Sequence, residues 1–193
     1  MKRRLSSEAG QGLVEVALVL PLFLMLSLGL IEMGHAMMDQ HIVTKLTREG
    51  SNLTSRDVSL ADAANAMKNM TTRPVNFNTS SRLILSVIKR GGTVGTPNYD
   101  KDILYQRYVI GPLSKASKIT TQGAGSFAGA PDYKARNPDT DTSLQITNLP
   151  ANVVLSTGGM VYVTEIYTTH SPITPLEAFG PDLPDTLYSI AYF

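Results

Sequence analysis

The stretch AGQGLVEVALVLPLFLMLSLGLIEMG, residues 9–34, decides how the rest of the chain is read. Residues 16–31 carry no charge, and only Pro21, Ser27 and Gly29 interrupt the apolar run. Widening the window to 13–38 brings in just two carboxylates, Glu15 and Glu32. A membrane helix needs roughly 20 residues at ~1.5 Å rise each. The run is therefore long enough to span a bilayer with its glutamates near the two interfaces. Pro21 is tolerable in a membrane helix, where neighbouring groups re-satisfy the freed carbonyl. The basic tetrad MKRR, residues 1–4, is expected to stay cytoplasmic and send the C-terminal part outward.

Three readings of this segment stand level on the residue pattern. It is a plain signal-anchor, kept whole. Or it is a secretory signal, cut after Ala36 at the small-x-small site Gly34-His35-Ala36. Or the cut falls at Gly10 and the apolar run is retained. No GxxxG packing motif is present, since Gly29 and Gly34 are five apart.

Composition narrows the classes. The 193 residues suffice for one modest domain and an anchor. A formal charge of +1 offers no basis for nucleic-acid binding. Cysteine is absent, which excludes disulfides, cysteine metal sites and cysteine nucleophiles. Threonine, serine, glycine and proline are abundant after residue 70 and favour strands and loops there.

Beyond the span, Ile42, Leu46 and Leu53 recur at helical spacing with Val43 beside them, while Gln40, Lys45, Arg48 and Glu49 fall elsewhere. The pattern predicts one long helix from about residue 12 to about 55. Gly50 either ends it or weakens it, by ~1 kcal/mol relative to alanine. Ser59 with Asp62 three residues on resembles a capping box, and LADAANAMKNM (60–70) reads as a short helix behind it. Its methionine spacing reads as core packing. RLILSVIKR (82–90) and ILYQRYVI (103–110) read as strands. NVVLST (152–157), Gly158-Gly159 and MVYVTEIYTT (160–169) read as a hairpin with a glycine turn. The predicted fold class is α+β: a long N-terminal helix packed on a small, four-stranded, mostly antiparallel sheet. Residues 114–143, rich in Gly, Ser, Thr, Ala and Pro, read as an exposed, flexible excursion.

No catalytic or metal constellation survives scrutiny. Asp139, Asp141 and Ser143 mimic the opening of a calcium loop, but Leu144 stands at its sixth position and Pro150 at its twelfth. His35 and His41 are six apart, about 240° around a helix. The Gly-rich run at 91–95 lacks the GK[ST] of a phosphate loop. The chain reads as a non-enzyme without cofactor.

The segment from Gly10 through LTREGSNL resembles the N-terminal signature of the TadE-like family, the minor pilins or pseudopilins of the tight-adherence (Tad) pilus. The resemblance covers roughly residues 10–56. It rests on Gly10 with Glu15 five positions later, ALVLP at 17–21, GLIEMG at 29–34 and TREGSN at 47–52. Val16 departs from the family pattern, where a phenylalanine usually follows the glutamate; a β-branched aliphatic keeps the apolar character. GGMVYVTEIY (158–167) followed by SPITPLEAF (171–179) is similar to the closing strand and proline-rich tail of such domains.

The resemblance implies processing by a prepilin peptidase between Gly10 and Gln11, which makes Glu15 the fifth residue of the mature chain. Its implied partners are that peptidase, the major pilin and other minor pilins, the inner-membrane assembly platform and the lipid bilayer. Glu32, near His35, is read as merely marking the outer interface. Three of the 17 basic and one of the 16 acidic residues lie in 1–10, so removing the leader takes the formal charge from +1 to −1. The expected organisation is a leader (1–10), a transmembrane helix (11–38), an outer helical stem with a short helix (39–70), and an extracytoplasmic β-rich domain (71–193) of a bacterial inner-membrane protein.

Overall fold

The apolar run and the amphipathic stem form one uninterrupted helix, α1, Glu8–Thr54, in the computed structural model, which describes residues 8–56, 58–175 and 185–193. Pro21 and Gly50 both lie inside it. The elements that follow are α2 (Leu60–Asn69), β1 (Ser81–Arg90), β2 (Asp102–Ile110), a 3₁₀ turn (Thr142–Leu144), β3 (Met160–Thr169) and β4 (Thr186–Tyr192). The chain divides into two compact units. One holds the described part of 1–38 together with 171–175; the other holds Asp39–His170 and Asp185–Phe193.

In the first unit α1 offers its apolar side chains outward all round. Leu13, Val16, Leu18, Phe23 and Leu30 are each 63–73% exposed. A contiguous apolar surface of this kind is what lipid solvates and water does not. Among the described residues this is the one helix long and apolar enough to cross a membrane.

The second unit is the α+β domain. Its antiparallel sheet runs β2-β1-β3-β4. The register places Leu85 opposite Tyr108 on one side and Thr164 on the other, and Ile166 opposite Ser189. Alternation then sorts the side chains. Leu83, Leu85, Val87 and Ile166 meet Val43 and Leu46 of α1 and Leu60, Ala63, Ala64 and Met67 of α2. Ile88, Val161 and Val163 point the other way and are covered by Ile119, Ile146, Leu149, Val153 and Leu155 from the long connections. Both faces are thus buried, which is why β1 reads as a near-continuous apolar run.

Small and hydroxylated residues let α1 sit close. A Cβ on Gly50 would lie 2.5 Å from the Met67 sulfur and 2.8 Å from Thr164 Cγ2. The buried Thr47 hydroxyl donates to Val43 O at 2.6 Å. Gln40 and Ser51 reach the outer strand, donating to the carbonyls of Tyr188 and Ala191 at 3.0 Å each. Gly50 therefore does not end the helix; it sets how near the helix packs. Ser59 caps α2, accepting from the Asp62 N–H at 3.1 Å.

The expected hairpin of 152–157 with 160–169 is not formed. Residues 152–157 are not a strand, and β3 pairs instead with β1 and β4. Gly158, at φ +79°, donates to Arg90 O at 3.0 Å, and Arg90 donates to Gly159 O at 2.9 Å. The glycine pair thus closes onto the end of β1. The slot beside β3 belongs to TLYSIAY of β4, and Val153 and Leu155 lie over the sheet as cover instead. The expected closing strand over 158–167 is β3 from Met160 on; of the proline-rich tail expected at 171–179, residues 171–175 are described and 176–179 lie outside the described residues, as do leader positions 1–7.

The 114–143 segment is largely exposed, yet stitched to the sheet. Lys134 bridges to Gln106 and Phe127 to Ala135, and Ala135 is buried with Ile103 and Leu144. Asp141 accepts from the Ser143 N–H at 3.0 Å and the Ser143 hydroxyl at 2.5 Å, so the calcium-like spacing is a turn cap.

Candidate functional site

Gly10, Gln11 and Glu15 all lie on α1 near its start, and all are exposed. Nothing stands within 4 Å of a Cβ built on Gly10. Gln11 and Glu15 are four residues apart and so share one helix face. The Glu15 carboxylate projects from that face with no hydrogen-bond or ion-pair partner among the described residues.

Glu32, 17 residues further along the same helix, has the opposite character. It is buried, 1% exposed, and so does more than mark the outer interface. Its carboxylate accepts from the Ile173 N–H at 3.1 and 3.2 Å, the Thr174 N–H at 2.8 Å and the Thr174 hydroxyl at 2.7 Å. The local sequence explains the clamp. In SPITP, 171–175, Pro172 and Pro175 have no N–H. The only amide donors among 172–175 are those of Ile173 and Thr174, and both point at Glu32.

A second set of polar groups is buried in the sheet unit, on the face away from α1. Glu165 of β3 is fully buried and accepts from the Ser117 hydroxyl, from the Lys118 N–H at 2.7 Å and from the Tyr188 hydroxyl at 3.0 Å. Arg107 of β2 donates to Ser86 Oγ at 3.2 Å and to Ser117 Oγ and Ile119 O at 3.1 Å each. Burial lowers the Arg107 pKa, and the Glu165 charge opposes that shift. Burial also raises the Tyr188 pKa, helped by the neighbouring Glu165 charge. These bonds hold the 117–119 loop against the sheet. Elsewhere in this unit, His170 Nδ1 lies 3.0 Å from Asp39 Oδ2, both buried.

Neither Arg107 nor Glu165 is marked out as a site residue by the sequence; a charge inside a mostly apolar strand is the one local signal each carries. That Arg107 and Glu165 share one face follows only from the pairing of both strands with β1. The Glu32 clamp joins positions 141 residues apart and had no local signal beyond the two prolines.

Residues 10–52 match the model of the family described as TadE-like protein. The match opens on Gly10, takes in Glu15, Glu32 and Gly50, and ends two residues before α1 does. The resemblance read from those residues thus holds over the helix that carries them. It links the chain to proteins associated with the Tad pilus, a family not known for enzymatic activity. No curated protein and no solved structure matches the chain.

Proposed function

We propose that the chain is a minor pilin or pseudopilin that primes or modulates assembly of a Tad-type adhesive pilus. The observation that supports this most is the family match beginning at Gly10, immediately before the apolar part of α1. The chain inserts into the inner membrane with its N-terminus inside and the sheet unit outside. Prepilin peptidase hydrolyses the Gly10–Gln11 bond on the cytoplasmic face and leaves a new α-amino group on Gln11.

That amine is a cation at the membrane boundary, and Glu15 is a carboxylate one helical turn away on the same face. A carboxylate drawn into the bilayer without a partner costs about 2.5–3.5 kcal/mol on insertion scales. Glu15 therefore pairs with the Gln11 amine of its own chain or of a neighbouring subunit as helices pack side by side. The major pilin, sibling minor pilins and the membrane assembly platform are the partners of that helix.

The test is Glu15→Ala in cells that make the pilus. Membrane insertion stays intact while pili become fewer or shorter. Pili of normal number and length would refute the role given to Glu15.

A further inference from the structure

We infer that the 171–175 segment is a second membrane contact, with the Ile173 side chain seated in the outer-leaflet interface; this rests on the reading of α1 as the span. Depth carries the argument. Glu32 is 21 residues beyond Gln11, about 32 Å along a helix rising ~1.5 Å per residue. The hydrocarbon core is ~30 Å thick. With Gln11 at the inner boundary, Glu32 lies where α1 leaves the lipid. Whatever is hydrogen-bonded to Glu32 shares that depth. The bonded groups are the amides of Ile173 and Thr174 and the Thr174 hydroxyl.

The segment is suited to such a place. Ile173, a large aliphatic side chain, is 58% exposed, and Met33 beside Glu32 on α1 is 62% exposed. Pro172 and Pro175 bring no N–H to desolvate, and the two amides between them are already bonded to Glu32. A backbone whose donors are satisfied can approach lipid; one with free donors cannot. The same bonds compensate the buried carboxylate. Glu32 is then a positioning residue: it holds a short apolar foot against the outer leaflet of the membrane that α1 crosses.

Because the chain has no cysteine, a single thiol can be labelled uniquely. The full-length chain carrying Ile173→Cys is labelled with a solvatochromic fluorophore. It is reconstituted at low density into phosphatidylethanolamine–phosphatidylglycerol vesicles, with and without lipid bearing a shallow doxyl quencher. Leu24→Cys serves as the reference for the span, and Val154→Cys, at a side chain 84% exposed, as the reference for water.

The expected result is doxyl quenching of the Ile173 label several-fold stronger than at Val154, with protection from aqueous iodide. Adding Glu32→Ala should return it to the Val154 behaviour. Iodide quenching of Ile173 equal to that of Val154, with Leu24 still quenched by lipid, overturns the foot and leaves the span standing. Water access at Leu24 overturns the span and this inference together. Lipid quenching of Ile173 that survives Glu32→Ala overturns the part given to Glu32.

Discussion

Ser117, in the loop that crosses the sheet, donates its hydroxyl to the buried carboxylate of Glu165 on β3. Arg107 donates to the same Ser117 oxygen at 3.1 Å, so one loop hydroxyl bridges a half-buried cation and a buried anion. The bridge ties a mostly polar segment to a sheet face that would otherwise face water.

Removing one member of this network takes the opposite charge away from the other in a largely desolvated site. Glu165→Ala and Arg107→Ala are each expected to lower stability by about 3–5 kcal/mol. The double substitution should cost clearly less than the sum, because the groups are coupled. Urea unfolding of the full chain in detergent, followed through tyrosine fluorescence and circular dichroism, measures all three.

The tyrosines predict an alkaline limit. Tyr188, Tyr167 and Tyr192 all have pKa values raised above 10.0, chiefly by burial. Below that pH the phenols are neutral in both folded and unfolded chains, and their contribution is fully present. Above it the unfolded chain releases phenolic protons first, binds fewer protons than the folded one, and stability falls as pH rises. Tm should hold through neutral pH and decline beyond about pH 10. Tyr188→Phe should make that decline shallower while lowering stability at neutral pH by about 1–3 kcal/mol, through the lost donor to Glu165.

At Gly50 two effects oppose each other. Alanine gains ~1 kcal/mol of helix propensity, but its Cβ meets Met67 and Thr164. The methionine end can swing away; the β-branched threonine has less freedom. Gly50→Ala should be near neutral, whereas Gly50→Leu should destabilise by about 1–3 kcal/mol through overpacking. Thermal melts of the two variants separate steric spacing from propensity.

Ser59→Ala removes the cap of α2 and should cost about 1 kcal/mol. Ser59→Thr should restore most of it, since its hydroxyl accepts from the same N–H and donates to the Asp62 carboxylate as Ser59 does at 2.7 Å. Denaturant midpoints of the two variants provide the check.

What could be read in advance depended on how local the signal was. α1 follows from an apolar run of membrane length joined to a stripe at helical spacing, and α2 from Ser59 and Asp62 ahead of alternating alanine and methionine. β1, β2 and β3 carry β-branched and aromatic runs bounded by glycine and proline. β4 was passed over because TLYSIAY follows a proline-rich stretch, and nothing local says that it, and not Val153–Val154–Leu155, fills the place beside β3. Around the candidate site, Gly10, Gln11 and Glu15 were legible as a pattern along one helix. The Glu32 clamp and the Arg107–Ser117–Glu165 bridge were not, because each is assembled from residues far apart in sequence and set side by side only by strand pairing or chain return.

The claim on which the functional account turns is the cut after Gly10. Intact-mass measurement and N-terminal sequencing of the membrane-extracted native protein test it directly, with Gly10→Val alongside as a form the peptidase should not process. The account predicts a mature chain beginning at Gln11, and an unprocessed chain for Gly10→Val. A mature chain beginning at Met37, or one that retains Met1 in cells holding an active prepilin peptidase, would contradict it.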